Sequence, residues 1–330
     1  MIAELTAGGV TGIGYTYSSP AAAVVIRDHL ADIVRGCDPL MTSSAWDRMV
    51  HAVRNIGRQG IAAAAISAVD NATWDLKGKL LDTPVAGLLG AVRTEAAIYG
   101  SGGFTSYSIA ELRDQLAGWV EQGIPRVKMK VGRDPATDVV RVREARAAIG
   151  DRAELFVDAN AAYGVEQAAT QAELFADSRV SWFEEPVSSD DLAGLHLLRS
   201  RTPAGMEIAA GEYGYDLEYF RRMLEAESVD VLQADATRCC GITGLLRVGS
   251  LCESYGIPLS AHTAPALHLH PCCAMPSVRH IEYFHDHARI ERLFFDGVSD
   301  PRGGALAPDM TRAGLGLELK RQDVERFVVR

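Results

Sequence analysis

The sequence predicts an α/β protein: a TIM-type (β/α)8 barrel, preceded by an α+β lobe that the C-terminal tail completes. Three observations predict it. Lys130, Asp158, Glu184, Glu212, Asp235 and His262 follow one another at intervals of 28, 26, 28, 23 and 27 residues, about what a strand, a helix and two loops consume in a barrel of about 250 residues. Each stands at the end of a short apolar run: RVKMKV, ELFVDAN, VSWFEEP, MEIAAGE, VDVLQAD and IPLSAHT. The front of the chain, by contrast, shows no such alternation. Because barrel chemistry sits at the carboxyl ends of the strands, these six residues are expected to meet in one pocket.

The elements follow in order. Glu4 to Tyr17 reads as a hairpin about Gly8-Gly9. From Pro20 to Gly90 the pattern is helical, with an alanine-rich helix over Ile61 to Leu81 and a short one opened by Pro84. Residues 1–92 therefore read as a separate α+β lobe, which the resemblance named below makes a capping domain. Alternation begins with AAIYGSG at Ala96, followed by a helix from Ile109 to Gln122 with Ser108 as N-cap and Gly123 as its stop. The six runs above supply the next strands, separated by helices such as Ala136 to Ile149 and Gly241 to Tyr255. HIEYF (His280 to Phe284) makes the eighth strand, so the barrel spans 93–296. From Gly297 onward, Pro301, Pro308 and five glycines allow no further strand-helix unit, and residues 297–330 are expected to run back to the lobe.

Composition narrows the partners. The 330 residues are 48% hydrophobic and 23% charged with a net charge of −10, which is globular and argues against nucleic acid, whose phosphates need a basic surface. No 18-residue apolar run is present, so no membrane partner is expected, and the opening residues lack the basic and apolar regions of a signal peptide. The cysteines Cys37, Cys239, Cys240, Cys252, Cys272 and Cys273 form no CxxC pair. They read as reduced thiols of a cytoplasmic protein.

Lys128 and Lys130 share one side of their strand, since strand side chains alternate. Two ammonium groups on one face repel, which is relieved by lowering one pKa toward neutrality, and a lysine so tuned serves as a general base. Asp158, Glu184 and Glu212 end three consecutive strands. Three convergent carboxylates call for a cation, and an all-oxygen set favours Mg²⁺, or Mn²⁺, over zinc. Glu185 points away from Glu184, and the residues alone leave open which of the two faces the pocket. Asp235 and His262 end the next two strands and can meet, the carboxylate fixing the imidazole tautomer. His268, His270, His280, His285 and His287 crowd the same stretch and compete for that role. Glu282, inside the eighth strand, has a hydrogen-bonding or a core role.

In a closed ring the second and seventh strands lie on roughly opposite sides, with the third to fifth holding the metal between them. A small carboxylate substrate chelated there presents its α-carbon between Lys130 and His262. That arrangement suits proton abstraction to an enediolate, then racemisation, epimerisation or elimination of a β-hydroxyl.

These residues resemble the mandelate racemase subgroup of the enolase superfamily (the mandelate racemase/muconate lactonizing enzyme family), nearly end to end. IAAAAISAVDNATWDLKGKLLDTPVAGLLG looks like the family's capping domain, and KMK at Lys128 to Lys130 resembles its KxK motif. The resemblance implies that Lys130 is the base and Lys128 its modulator. It implies Asp158 of DAN, Glu184 of EEP and Glu212 of GE as metal ligands, so it decides for Glu184 over Glu185. Asp235 and His262 resemble the family dyad. Glu282 falls at a glutamate near the substrate carboxylate, and Asn160 at the residue meeting the α-hydroxyl. The implied activity is Mg-dependent dehydration of an acid sugar (aldonate or aldarate), with racemisation or epimerisation of a 2-hydroxy acid, mandelate-like, as the runner-up. The implied assembly is a homo-oligomer, dimer to octamer. Cycloisomerase and dipeptide-epimerase branches resemble sites with a second lysine on the sixth strand, where this chain has Asp235. A Schiff-base aldolase using Lys130 would leave the carboxylate trio without a task, and a non-catalytic binding barrel would need no base. Two departures stand out. Cys240 in TRCCGIT occupies a position where relatives carry glycine. Met1 falls inside what should be the lobe's second strand, so an upstream segment with a closing loop is expected.

Overall fold

Gly8 and Gly9 take φ of 58° and 78°, the left-handed pair that a two-residue hairpin turn demands. They join β1 (Ile2–Ala7) to β2 (Val10–Tyr15) in antiparallel register. The hairpin thus starts two residues earlier than Glu4 and ends at Tyr15. The computed structural model describes residues 1–328. Helices α1 (Ala21–Val25) and α2 (Ala31–Val34) flank a π-helical turn at Ile26–Leu30, and α3 (Thr42–Ala52) follows. The long α4 (Ile61–Leu80) is buried on nearly all sides, because its alanines let both the hairpin and the barrel approach closely. Short α5 (Val85–Leu88) follows Pro84, as expected.

Eight parallel strands then close a ring: β3 (Ala96–Gly102), β4 (Arg126–Lys130), β5 (Glu154–Asp158), β6 (Val180–Glu184), β7 (Glu207–Ala210), β8 (Val231–Ala234), β9 (Leu259–Ala261) and β10 (Val278–Phe284). β10 pairs with β3, which leaves the ring without a seam. The intervening helices are α6 (Ile109–Glu121), α7 (Pro135–Ile149), α8 (Val165–Ala176), α9 (Leu192–Arg201), α10 (Leu217–Glu225) and α11 (Gly241–Tyr255), then α12 (Pro265–Ala274) and α13 (His285–Phe294). Ser108 caps α6 in a reciprocal pair with Glu111, satisfying amides that a helix start leaves unpaired.

The lobe is fastened through one helix terminus. Gly241 N, Ile242 N and Thr243 N donate to Ser67 Oγ, Asn71 Oδ1 and Asp70 Oδ2 of α4 at 3.0, 2.9 and 2.8 Å. The orphan amides of α11 are thus satisfied by the lobe. Gly241 has no alternative there, since a Cβ would sit 2.4 Å from Asp70 Oδ2. Its neighbour Cys240, where glycine was expected, keeps φ at 65° despite its side chain.

The tail does more than return to the lobe. Val85 N donates to Gly314 O and Leu315 N to Asp75 Oδ1, as expected. In addition β12 (Ala305–Leu306) pairs antiparallel with β3, and β11 (Phe295–Asp296) with β13 (Glu318–Leu319), before α14 (Arg321–Val324). No helix among the described residues is long and apolar enough to cross a membrane.

Candidate active site

Register brings the distant residues level. Lys130 stands opposite Asp158 and Asp158 opposite Glu184 across β4, β5 and β6. One oxygen each from Asp158, Glu184 and Glu212 lies within 4.8 Å of the others, and all three residues are buried. The set is all-oxygen and anionic, and one oxygen of Glu212 has no hydrogen-bond partner. It fits Mg²⁺, a hard ion that demands oxygen donors.

Lys128 is fully buried and donates to both Glu184 oxygens at 2.6 and 2.7 Å, with Glu282 Oε1 2.8 Å away. Lys130 is bonded to Asp158. The expectation of a lowered lysine pKa is not met among these side chains. Burial and Lys128 do push Lys130 down, but Asp158, with Glu184 and Glu212, outweighs them and raises it. Lys128 is raised likewise, its burial outweighed by Glu184 and Glu282. The repulsion is real, and the carboxylates outnumber it.

His262 Nδ1 lies 2.9 Å from Asp235 Oδ2, and Nε2 lies 3.1 Å from Glu212 Oε2. The second contact is an ion pair without hydrogen-bond alignment. Burial alone would depress the imidazole, but Glu212 and Glu282 carry its pKa up to about 10. The competing histidines separate by environment. His268 accepts from Ala236 N at 2.8 Å and faces Thr263 O with its other nitrogen, so it is neutral and bridges two loops. His270 accepts from Ala86 N of the lobe. His280 lies inside the barrel against Ser260. Burial lowers the pKa of all three.

Glu282 accepts from Ser101 Oγ at 2.5 Å and Thr263 N at 3.0 Å. Burial would raise its pKa, yet Lys128, His262 and Lys130 bring it down to about 2. Asn160 donates its backbone N–H to Asp158 Oδ1 at 2.8 Å and leaves its side chain at the exposed rim. Glu184 rises to about 8 through burial and Asp158.

Three features escaped the sequence. Glu185 is buried outside the trio, with φ at 37° and neither oxygen partnered. Burial, with Glu212 and Asp158, raises its pKa to about 9. Arg238 donates to Glu212 O at 2.9 Å and stacks 5.0 Å from the Tyr213 ring centre. Its position three residues after Asp235 was a usable signal. Tyr17 of the lobe stacks on His287, ring centres 3.4 Å apart, a contact between opposite ends of the chain that no local pattern announces.

The chain is similar to known proteins over nearly its whole length. The family description "Mandelate racemase / muconate lactonizing enzyme, N-terminal domain" matches residues 1–90, and "Enolase C-terminal domain-like" matches residues 111–324. A 3,6-anhydro-alpha-L-galactonate cycloisomerase of Streptomyces coelicolor is 32% identical over 95% of this chain and 87% of its own. An L-talarate/galactarate dehydratase of Salmonella typhimurium is 32% identical over 98% and 81%. Among solved structures, a mandelate racemase/muconate lactonizing enzyme-like protein from Rubrobacter xylanophilus superposes with a TM-score of 0.97 at 53% identity, covering 98% of this chain and 90% of its own. A racemase from Streptomyces coelicolor with bound magnesium gives 0.91 at 31%, covering 98% and 90%. A cycloisomerase thus stands among the relatives beside the dehydratase. The protein is an enzyme, a lyase or isomerase, and belongs to the mandelate racemase subgroup of the enolase superfamily.

Proposed function

We propose that the protein abstracts the proton α to the carboxylate of an acid sugar and eliminates the β-hydroxyl, as an aldonate or aldarate dehydratase. The observation that carries this is the placement of two bases, Lys130 on β4 and His262 after β9, on either side of the Asp158–Glu184–Glu212 trio. Mg²⁺ held by that trio supplies Lewis-acid stabilisation of the enediolate charge. A cation on the trio would offset the carboxylate charge that raises the Lys130 pKa, and would leave burial and Lys128 acting to lower it. Lys130 then serves as base. Lys128 and Glu282, bonded to each other, meet the substrate carboxylate, and Asn160 meets the α-hydroxyl. Asp235 holds Nδ1 of His262, so Nε2 takes or delivers the proton. In dehydration His262 gives it to the departing hydroxyl.

The dehydratase named for L-talarate and galactarate supports the acid-sugar class, as does the L-glucarate bound with Mg in a related dehydratase structure. Racemisation or epimerisation of a 2-hydroxy acid is the second reading, favoured by bases on opposite faces of one carbon. The test is a screen of aldonates and aldarates in D₂O with Mg²⁺, followed for α-deuteration and for 2-keto-3-deoxy product. Deuteration with dehydrated product supports the first reading, and inverted α-carbon without loss of water supports the second. No α-exchange with any acid that binds defeats both.

A further inference from the structure

The ring order gives the pocket two unlike walls. The carboxylate trio occupies β5 to β7, and the opposite arc is β10 and β3, between His262 on one side and Lys130 on the other. Over that arc four rings run in contact. Phe104, after β3, meets Phe284 at 5.8 Å, Phe284 meets His287 at 5.1 Å, and His287 lies flat on Tyr17 of the lobe. A substrate held at the trio, its carboxylate meeting Lys128 and Glu282 within the barrel and its α-carbon between the bases, extends its remaining carbons out past the strand ends, where this wall stands.

His287 is the nitrogen donor in it, and its tautomer is fixed. Ala264 N donates to His287 Nδ1 at 3.3 Å. A backbone N–H can only donate, so Nδ1 carries no proton and the neutral ring bears its hydrogen on Nε2. Burial, though partly opposed by Asp235, keeps the ring neutral with a pKa lowered to about 4, among Asp235, His262, Glu282 and Arg238. Among the described residues Nε2 has no hydrogen-bond partner, yet it is not among the sealed polar atoms. It is a pre-aimed donor that a ligand can reach. The Tyr17 stack and the Ala264 bond leave the ring little freedom to turn away.

We infer that His287 donates its Nε2–H to the hydroxyl at carbon 4, beyond the departing one, making it a specificity residue that selects polyhydroxylated chains over aryl or deoxy acids. This rests on the proposed α-proton chemistry. A substrate lacking that hydroxyl leaves the donor desolvated and unpaired, which sites built for a hydroxyl penalise heavily.

The test compares α-deuteration by the Mg²⁺-loaded enzyme of the best aldonate or aldarate from the screen, its 4-deoxy counterpart, which keeps the departing hydroxyl, and mandelate. His287→Phe keeps a ring against Tyr17 and removes the donor, whereas His287→Gln restores an N–H near the same place. Wild type is expected to favour the 4-hydroxy acid over the 4-deoxy acid by about 100-fold in kcat/KM. His287→Phe should bring that ratio close to one, mainly through KM, and His287→Gln should recover most of it. Should the Phe variant fail to fold, judged by thermal melting, the Gln variant must still discriminate. Equal losses on both acids, or wild type that does not discriminate, would overturn the inference alone. Absence of α-exchange by wild type on every acid would overturn the underlying reading and the inference with it.

Discussion

The rim of the barrel and its interior are a few ångströms apart and are built on opposite principles. Below the site, Tyr99, Phe156 and Trp182 fill the ring with stacked and edge-on aromatics, and His280 packs among them. Above, buried charges face one another, and the loops adopt left-handed backbone at residues other than glycine. Asn160, Ala161, Glu185, Cys240, Thr263 and Ala264 all have positive φ and all lie just past barrel strands. Such conformations cost about 1–3 kcal/mol each and gather where surrounding structure enforces them. The interior maximises stability, and the rim gives stability away for geometry. Trp182 belongs to both, since its ring stacks on Phe156 while Nε1 donates to Glu184 Oε2 at 3.0 Å.

That contrast can be broken in four places. The largest effect is expected at the rim: Lys130→Ala should lower kcat/KM by about 10³-fold or more while the melting temperature stays the same or rises. A large loss of stability would mean that Lys130 belongs with the scaffold. Next is the metal. Glu212→Gln should weaken Mg²⁺ binding in calorimetry by more than the roughly 100-fold that loss of an outer hydrogen-bond partner costs, and EDTA should abolish turnover. In wild type, Mg²⁺ at 100 times its Kd should add about 2.7 kcal/mol of stability. Unchanged melting on titration with Mg²⁺ would contradict the trio as its site.

The interior should answer the other way. Phe156→Ala should cost about 3–5 kcal/mol in denaturant unfolding, yet leave Mg²⁺ affinity of the folded fraction within a few-fold. The smallest effect is expected where the lobe meets the barrel. Glu291 is fully buried, accepts from Tyr15 Oη at 2.5 Å and from Ala266 N at 3.1 Å, and has its pKa raised by burial to about 8. A raised folded-state pKa means that its contribution is fully present below the unfolded value of about 4.3 and is lost as pH rises through about 8. Glu291→Gln should therefore raise the melting temperature by a few degrees at pH 8.5 and change it little at pH 4. An equal effect at both would show that the carboxyl does not titrate on unfolding.

How much of this was legible follows the same division. Strand periodicity exposed the barrel because each unit repeats a local pattern, and the residues ending those strands were visible because a charge after an apolar run is conspicuous. Ring closure then needed only the count of strands. The lysine electrostatics were misjudged because pairing Lys128 with Lys130 considers one strand, whereas Glu184 and Glu282 approach from others. Tyr17 on His287 and the docking of Ser67, Asp70 and Asn71 onto α11 join segments with no shared periodicity. Glu185 was ambiguous for a different reason: alternation predicts only that it points away from Glu184, and its left-handed backbone leaves the strand geometry on which alternation depends.

The seamless ring also orders events in time. Asp158 and Glu184 end two successive strands and Glu212 follows the third, each strand paired with the next, so their convergence needs only residues 154–212 of the 330. Lys130 and His262 face each other only after β10 has joined β3, where Ile281 pairs with Ile98. Contacts that far apart in sequence carry a larger loop-closure entropy and form later. During refolding, affinity for Mg²⁺ should therefore appear before turnover does, and a species that holds the ion without chemistry should be trapped whenever closure is slow.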